Sequence, residues 1–167
     1  MRILFLRPTT IYVTARRIIF RGSGSEVPIG IQGIPAFHTA LEYRDPVHNI
    51  PVWYSGLPDD DVLKGRRIAD EDNPRNMILF GYVYPSENPV ETMVIELDQA
   101  YQDYCNNLDY NPIPESGEPD EYNSNGYANG TILHIGGTFV PRPEAALNLN
   151  YLVPGWSKPI PSSAFGC

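Results

Sequence analysis

The serine at position 124 has the setting of a nucleophile, because it lies where a polar loop runs into an apolar segment. The preceding residues 115–121 are rich in breakers and acidic residues and are unlike regular structure. The apolar residues that follow share one face of a predicted helix: Tyr127, Ile132, Leu133 and Ile135. In the first turn of that helix, unpaired backbone N–H groups stabilise a developing oxyanion. The position also suits the simpler role of a helix cap, filled by either Asn123 or Ser124.

A serine nucleophile here needs a general base, because a free hydroxyl is almost wholly protonated at neutral pH. Among the three histidines, His134 lies nearly three turns along the same predicted helix, about 15 Å from its start. His48 falls in a predicted turn, where an exposed side chain is the common outcome. His38 lies in a predicted strand, a scaffold that holds an imidazole rigidly against a neighbouring helix start. His38 is therefore the candidate base for Ser124, although a strand histidine taken alone is more often a structural residue.

A third polar group would orient the imidazole, and three residues are candidates for that role. Strand alternation puts Glu42 on the same face as His38, about 13 Å away along an extended strand. Ser55 ends the next predicted strand, and His48 lies in the turn between the two strands. The backbone N–H groups of Ser124 and Asn125 are the candidate oxyanion donors. The predicted oxyanion and substrate-binding residues are Tyr122, Asn123, Asn125 and Tyr127.

The elements that carry these side chains predict an α+β fold, with an antiparallel sheet packed against helices. Alternating β-branched and aromatic residues predict strands at 2–6, 11–20, 36–43, 50–54 and 76–84. Breaker residues predict a loop at 21–25 and a hairpin turn at 44–49. Apolar residues at helical spacing predict a helix over 89–108, capped by Asn88 and with Pro89 in its first position.

The two cysteines provide an alternative candidate nucleophile, but their number and spacing indicate no other function. Cys105 falls on the apolar stripe of the predicted 89–108 helix, where burial makes a thiol inert, although a catalytic Cys105 stays an alternative. Cys167 is the last residue, with nothing after it to hold it in place. Two cysteines do not make a disulfide framework, and their spacing matches no metal site. We predict no metal and no cofactor.

Composition limits the class of protein. The length of 167 residues predicts one domain, residues 1–167, with a substantial core. A net charge of −8 and the near absence of Lys/Arg clusters argue against a nucleic-acid partner. The first apolar run is too short for a signal peptide, and no stretch is long enough to span a membrane. We expect a cytoplasmic protein as synthesised, with signal-independent delivery or secretion left open.

Two segments carry a resemblance to a known superfamily. The strand His38-Thr39-Ala40-Leu41-Glu42-Tyr43 and the downstream Asn123-Ser124-Asn125-Gly126-Tyr127-Ala128 resemble the circularly permuted papain-like hydrolases of the NlpC/P60 superfamily. That superfamily includes the lecithin:retinol acyltransferase-like and PPPDE-type families. Its histidine opens an early strand, and its nucleophile begins a late helix in a motif such as Asn-Cys-Asn/Glu-His-Phe.

The resemblance implies a papain-like fold in which His38 is the base and Ser124 the nucleophile, with Tyr127 and Ala128 behind it. The resemblance also implies that the third catalytic residue comes from the strand that follows the histidine. The sequence departs from the pattern by having serine in place of cysteine, which requires stronger base assistance or means that activity has been lost.

Three stretches, residues 111–114, 121–125 and 154–159, also resemble small bacterial or phage domains, including secreted toxin modules. Together the resemblances imply a hydrolase or amidase that cleaves peptidoglycan peptides through an acyl-enzyme. A lipid or ester acyl hydrolase or acyltransferase and an inactive papain-like binding module are the alternatives. The implied partners are a peptide or acyl substrate and, for an effector toxin, an immunity or delivery protein.

Overall fold

The structure is a computed structural model. It describes residues 10–17, 19–22, 25–28, 30–31, 34–44, 50–68, 77–85, 89–112, 114, 121–143 and 153–167. Its α-helices are α1 (Val90–Asp103) and α2 (Ser124–His134), and a short 3₁₀ helix spans Ser162–Ala164. Its strands are β1 (Ile11–Arg17), β2 (Ile19–Gly22), β3 (Ser25–Pro28), β4 (Gly30–Ile31), β5 (Ile34–Pro35), β6 (Phe37–Arg44), β7 (Pro51–Asp59), β8 (Val62–Ile68), β9 (Ile78–Pro85), β10 (Leu108–Tyr110), β11 (Glu121–Tyr122) and β12 (Gly137–Pro141).

The fold is α+β, as predicted, with a mixed eight-stranded sheet of order β11-β10-β8-β7-β6-β1-β9-β12. The neighbours are antiparallel except for the parallel pair of β10 and β11. Two short hairpins, β2–β3 and β4–β5, form separate two-stranded sheets. The strand that carries His38, β6, is central, with β1 on one side and β7 on the other.

Both helices pack against the same face of the large sheet. The Tyr54 hydroxyl on β7 donates to Asp98 of α1 at 2.8 Å. Gly56, two residues further along the same face of β7, lies under α2, where an added Cβ would come within 2.7 Å of Tyr127. Tyr104, just after α1, and Tyr127 form an edge-to-face ring pair with centroids 5.0 Å apart. The fully buried core residues include Ile11, Val13, Leu41, Leu63, Met93, Leu97 and Ile132.

The predicted strands are largely confirmed, with longer or divided bounds. The 36–43, 50–54 and 76–84 predictions correspond to β6, β7 and β9, whereas the 11–20 prediction divides into β1 and β2. The predicted loop at 21–25 was partly wrong, because β2 extends to Gly22 and β3 begins at Ser25. The predicted strand at 2–6 and most of the turn at 44–49 lie outside the described residues.

The first helix is shorter than predicted at both ends. It begins at Val90, so Pro89 is the N-cap and makes no side-chain cap bond, while the predicted cap Asn88 lies outside the described residues. The helix ends at Asp103, because Tyr104 is extended and forms an antiparallel bridge with Phe165. The chain then turns at Asn106, whose φ of 53° is left-handed. The Asn106 side chain accepts a 2.7 Å bond from the Gly65 N–H, which fixes the turn against the sheet.

The expectation for the cysteines was wrong, because Cys105 and Cys167 form a disulfide. The chain end that was expected to be loose is held by backbone bonds to the end of α1. The Cys105 N–H donates to the Ala164 carbonyl at 2.9 Å, and the Gly166 N–H donates to the Asp103 carbonyl at 2.8 Å. Cys105 therefore has no thiol, and the alternative that makes it the nucleophile is also overturned while the disulfide is intact.

No helix in the described part of the chain has the length and apolar character that crossing a bilayer requires.

Candidate functional site

The first turn of α2 begins at Ser124, as predicted, and Asn123 is its cap. The Asn123 Oδ1 accepts the backbone N–H bonds of Asn125 and Gly126, each at 3.0 Å. This leaves the Ser124 hydroxyl without a capping role, and it makes no hydrogen bond among the described residues. Ser124 is nearly buried, with 3% of its surface exposed. The hydroxyl is thus at a helix start and chemically unengaged.

Of the two candidate oxyanion donors, the Asn125 N–H is already occupied by the Asn123 side chain. The remaining candidate is the Ser124 N–H, which stands at the positive end of the helix dipole.

The Asn125 side chain ties this helix start to the strand that carries His38. Its Oδ1 accepts bonds from the Thr39 N–H at 2.8 Å and the Thr39 hydroxyl at 2.9 Å. Its Nδ2 donates to the Phe37 carbonyl at 2.9 Å and to the Pro154 carbonyl at 2.8 Å. Residues 37 and 39 flank the histidine, so the turn that contains Ser124 is fixed relative to the backbone on both sides of His38.

The Pro154 carbonyl joins a third segment to the site. It accepts from Asn123 Nδ2 at 2.8 Å as well as from Asn125 Nδ2. The next residue, Gly155, has a φ of +79°, and a Cβ there would meet the Asn123 amide at 2.6 Å. A glycine is required here because the backbone turns in the left-handed region directly against a buried side chain.

His38 is held by Ser55 on the adjacent strand. The Ser55 Oγ lies 2.8 Å from His38 Nε2, and its hydroxyl donates to the Thr39 carbonyl at 3.3 Å. A hydroxyl has a single hydrogen, so the Ser55 Oγ donates either to the Thr39 carbonyl or to an unprotonated Nε2. These two arrangements correspond to the two neutral tautomers of His38. Of the two candidates for the third residue that the structure describes, Glu42 and Ser55, it is Ser55 that contacts the imidazole.

The environment keeps His38 neutral. Burial, and then the positive charge of Arg16, which is the register partner of His38 on β1, lower the pKa of His38 to about 3. A neutral imidazole is the form that accepts a proton from a serine hydroxyl. A thiolate–imidazolium pair, in contrast, requires the protonated ring.

The structure joins His38 to Ser55 and joins the α2 start to β6, but no hydrogen bond connects His38 with Ser124 among the described residues. The Thr39 hydroxyl faces α2, and strand alternation directs the His38 ring to the opposite side of β6, where Ser55 lies. The two predicted catalytic groups are therefore on segments that Asn125 fixes together, without direct contact between their side chains.

Other predicted site residues have separate roles. The Glu42 carboxylate is paired with Arg44 at 2.9 Å and accepts from the Trp53 indole at 3.3 Å. His48 lies outside the described residues. Tyr127 is fully buried in the core, so its side chain lies away from any substrate. Tyr122 is buried, with the Lys158 ammonium 5.2 Å from its ring centroid.

The Asn123 and Asn125 side chains are also buried and fully used in the scaffold. Their position as neighbours of Ser124 was predictable, but their partners were not. The roles of Thr39 and Pro154 were missed because no local signal marks a threonine or a carbonyl as the partner of a distant amide.

The opposite end of α2 holds His134, which is stacked on Phe165 with ring centroids 4.0 Å apart. His134 lines a cleft of about 310 Å³ with Glu96 and Gln99 of α1. Ser124 lies at the other end of the helix, so this cleft is separate from the candidate site. Within the described ranges, no group of three or more His, Cys, Asp or Glu residues is arranged to hold a metal ion.

No protein-family model, curated protein or solved structure matches this chain.

Proposed function

We propose that the protein is a hydrolase of the papain-like, circularly permuted type, in which His38 is the general base and Ser124 the nucleophile. The observation that carries the proposal is the Asn125 side chain, which binds the backbone on both sides of His38 and lies next to Ser124 in the chain. A strand histidine, a polar partner on the adjacent strand and a helix-start nucleophile are the three parts that such a site requires.

The reaction uses the neutral tautomer of His38 that is protonated on Nε2. In that tautomer Nε2 donates to Ser55, and Nδ1 is the basic nitrogen. The two groups lie on opposite sides of β6, so the reaction requires a rearrangement on substrate binding that brings the Ser124 hydroxyl to Nδ1. Nδ1 then takes the hydroxyl proton, and Oγ attacks the carbonyl carbon. The carbonyl electron pair moves to the oxygen, which the Ser124 N–H stabilises. Collapse breaks the C–N bond, and the imidazolium returns the proton to the leaving amine. Water then hydrolyses the acyl-enzyme with the same base.

Serine fits this site better than cysteine does. A cysteine nucleophile gains from a thiolate–imidazolium pair, which the lowered pKa of His38 disfavours. A serine needs only a neutral base, and His38 is neutral throughout the physiological pH range. A base of such low pKa is weak, so we expect slow turnover.

The proposed substrate is an amide bond in a peptidoglycan peptide, and the proposed setting is that of a delivered effector. The Cys105–Cys167 disulfide supports delivery, because disulfides persist outside the reducing cytosol. An immunity protein that covers the region of His38 is the expected partner of such an effector. A lipid or ester substrate on the same site is the alternative substrate class.

The test is hydrolysis of purified peptidoglycan, followed by the release of new amino groups. Ser124→Ala and His38→Ala should each abolish release. Ser124→Ala removes a hydroxyl that has no partner among the described residues, so its free energy of unfolding should change by less than about 0.5 kcal/mol. Full activity in Ser124→Ala would refute the proposal, and cleavage of acyl esters instead of peptides would shift the substrate class.

A second candidate function is an inactive papain-like binding module. Two observations favour it: Ser124 is 3% exposed, and the Nε2 of His38 is occupied by Ser55. A module would bind peptidoglycan fragments with equal affinity in the native protein and in Ser124→Ala, without release of amino groups from either.

A further inference from the structure

We infer that Ser55 is a second nucleophile, activated by His38 on the face of the sheet away from the helices, and that its substrates are small esters or amides that carry a carboxylate. This site goes beyond the proposed function, because it uses the same histidine without Ser124. Its basis is the contact of 2.8 Å between Ser55 Oγ and His38 Nε2. A serine hydroxyl within hydrogen-bond reach of an imidazole nitrogen is the arrangement that an activated nucleophile requires.

The two neutral tautomers of His38 have different consequences for Ser55. When Nε2 is unprotonated, the Ser55 hydroxyl donates to it and Nδ1 carries the ring hydrogen. Nε2 is then the base for a serine to which it is already bonded, so β6 and β7 do not need to rearrange. The tautomer that the Ser124 reaction does not use is therefore the one that activates Ser55.

Two arginines flank this pair on the same face of the sheet. Arg16 is the register partner of His38 on β1, and Arg66 is the register partner of Ser55 on β8. Residues directly opposite each other in antiparallel strands have their side chains on one face. Because β1, β6, β7 and β8 are neighbours, the four residues form a row across four strands.

Both arginine side chains can bind an anion. Both residues are exposed, and Arg16 makes no ion pair or hydrogen bond within the described ranges. Arg66 lies 3.3 Å from Asp59, but both side chains are about half exposed, and an exposed pair of this kind contributes little. A guanidinium binds a carboxylate through two parallel hydrogen bonds, so a carboxylate is the anion that this row fits.

A bound carboxylate also assists the base. Burial, and then the charge of Arg16, lower the pKa of His38, and an anion on Arg16 offsets the second of these causes. Nε2 takes the Ser55 proton, Oγ bonds to the carbonyl carbon, and the carbonyl electron pair moves to the oxygen. Collapse breaks the bond to the leaving group, which takes the proton from Nε2, and water then hydrolyses the acyl-enzyme. Because Ser55 is only 1% exposed, the site admits only small acyl groups.

The first measurement compares the hydrolysis of two 4-nitrophenyl esters of equal chain length, the neutral hexanoate and the anionic adipate monoester. We expect kcat/KM for the adipate to be about tenfold higher, which corresponds to one charge-assisted hydrogen bond. Arg16→Gln should reduce the ratio of the two values to about one. Arg17→Gln is the matched control, because Arg17 is the next exposed residue of β1 and lies on the other face, opposite Phe37; it should keep the native ratio. Ser55→Ala should abolish the preference for the adipate.

The second measurement is peptide mapping after reaction with a small fluorophosphonate probe. An adduct on Ser55 that is absent in His38→Gln supports the second nucleophile, whether or not Ser124 is also labelled. An adduct on Ser124 alone overturns it while the proposed function stands, and the absence of both adducts overturns both. An ester ratio of about one in the native protein, or an equal fall in Arg16→Gln and Arg17→Gln, overturns the anionic substrate class. Urea unfolding shows which variants are folded; if Ser55→Ala is not, the native adduct and the arginine pair decide.

Discussion

Replacing His38 with glutamine should remove a large part of the dependence of stability on pH. The folded protein lowers the pKa of His38 from 6.5 to about 3, first by burial and second through Arg16. Between these two values, the unfolded chain binds a proton that the folded chain does not bind. The contribution of the neutral ring to the free energy of unfolding is therefore fully present above pH 6.5, and it is lost as the pH falls toward 3.

The size of this effect follows from the two pKa values. Each pH unit between them costs about 1.4 kcal/mol of folding free energy. From pH 7 to pH 4.5 the native protein should lose about 2.5 kcal/mol through His38 alone. Carboxylates also titrate in this range, but they are common to both proteins and cancel in the comparison.

The assay is urea unfolding at pH 7 and pH 4.5, followed by the fluorescence of Trp53 and Trp156, which are both buried. The loss between the two pH values should be about 2.5 kcal/mol larger in the native protein than in His38→Gln. Between pH 7 and pH 8 the two proteins should change equally, since the ring is neutral in both states. Equal losses at pH 4.5 would refute the burial of a neutral histidine, and with it the argument for a serine nucleophile.

Three further predictions follow from contacts around the site. Arg16→Gln removes a positive charge that lowers the pKa of His38, so this pKa should rise above its native value. NMR titration of the ring protons measures it, and an unchanged pKa would show that Arg16 does not act on His38. Cys167→Ser removes a disulfide that spans 62 residues and should lower the free energy of unfolding by about 2–5 kcal/mol, whereas an identical urea midpoint would show that the disulfide does not form. Gly126→Ala places a Cβ 2.6 Å from the Lys158 carbonyl and should cost about 1–3 kcal/mol, and a gain in stability by the same assay would show that this contact is not close.

The helix start at Ser124 was predictable because its determinants are local. An asparagine cap, a polar lead-in and apolar residues at helical spacing act within one or two turns, and α2 begins where they indicate. The same is true of β6 and β7, whose alternation is visible in the sequence. The end of α1 was not predictable from periodicity, because the chain leaves the helix at Tyr104, which forms a bridge with the distant Phe165.

The site geometry depends on still longer separations. The choice of Ser55 over Glu42 required the register of β6 against β7, since Glu42 is already engaged with Arg44 and Trp53. The four bonds of Asn125 span 29 to 88 residues, and the disulfide spans 62. No property of a local window encodes these pairings, because they form only when distant segments are packed together.

The most direct test of the account is peptide mapping of the protein after reaction with a fluorophosphonate probe. We expect a covalent adduct on Ser124 in the native protein and no adduct in His38→Ala, because the hydroxyl needs the neutral imidazole to become nucleophilic. An unmodified Ser124 in the native protein, or an adduct that forms equally in His38→Ala, would contradict the assignment of Ser124 and His38 as nucleophile and base.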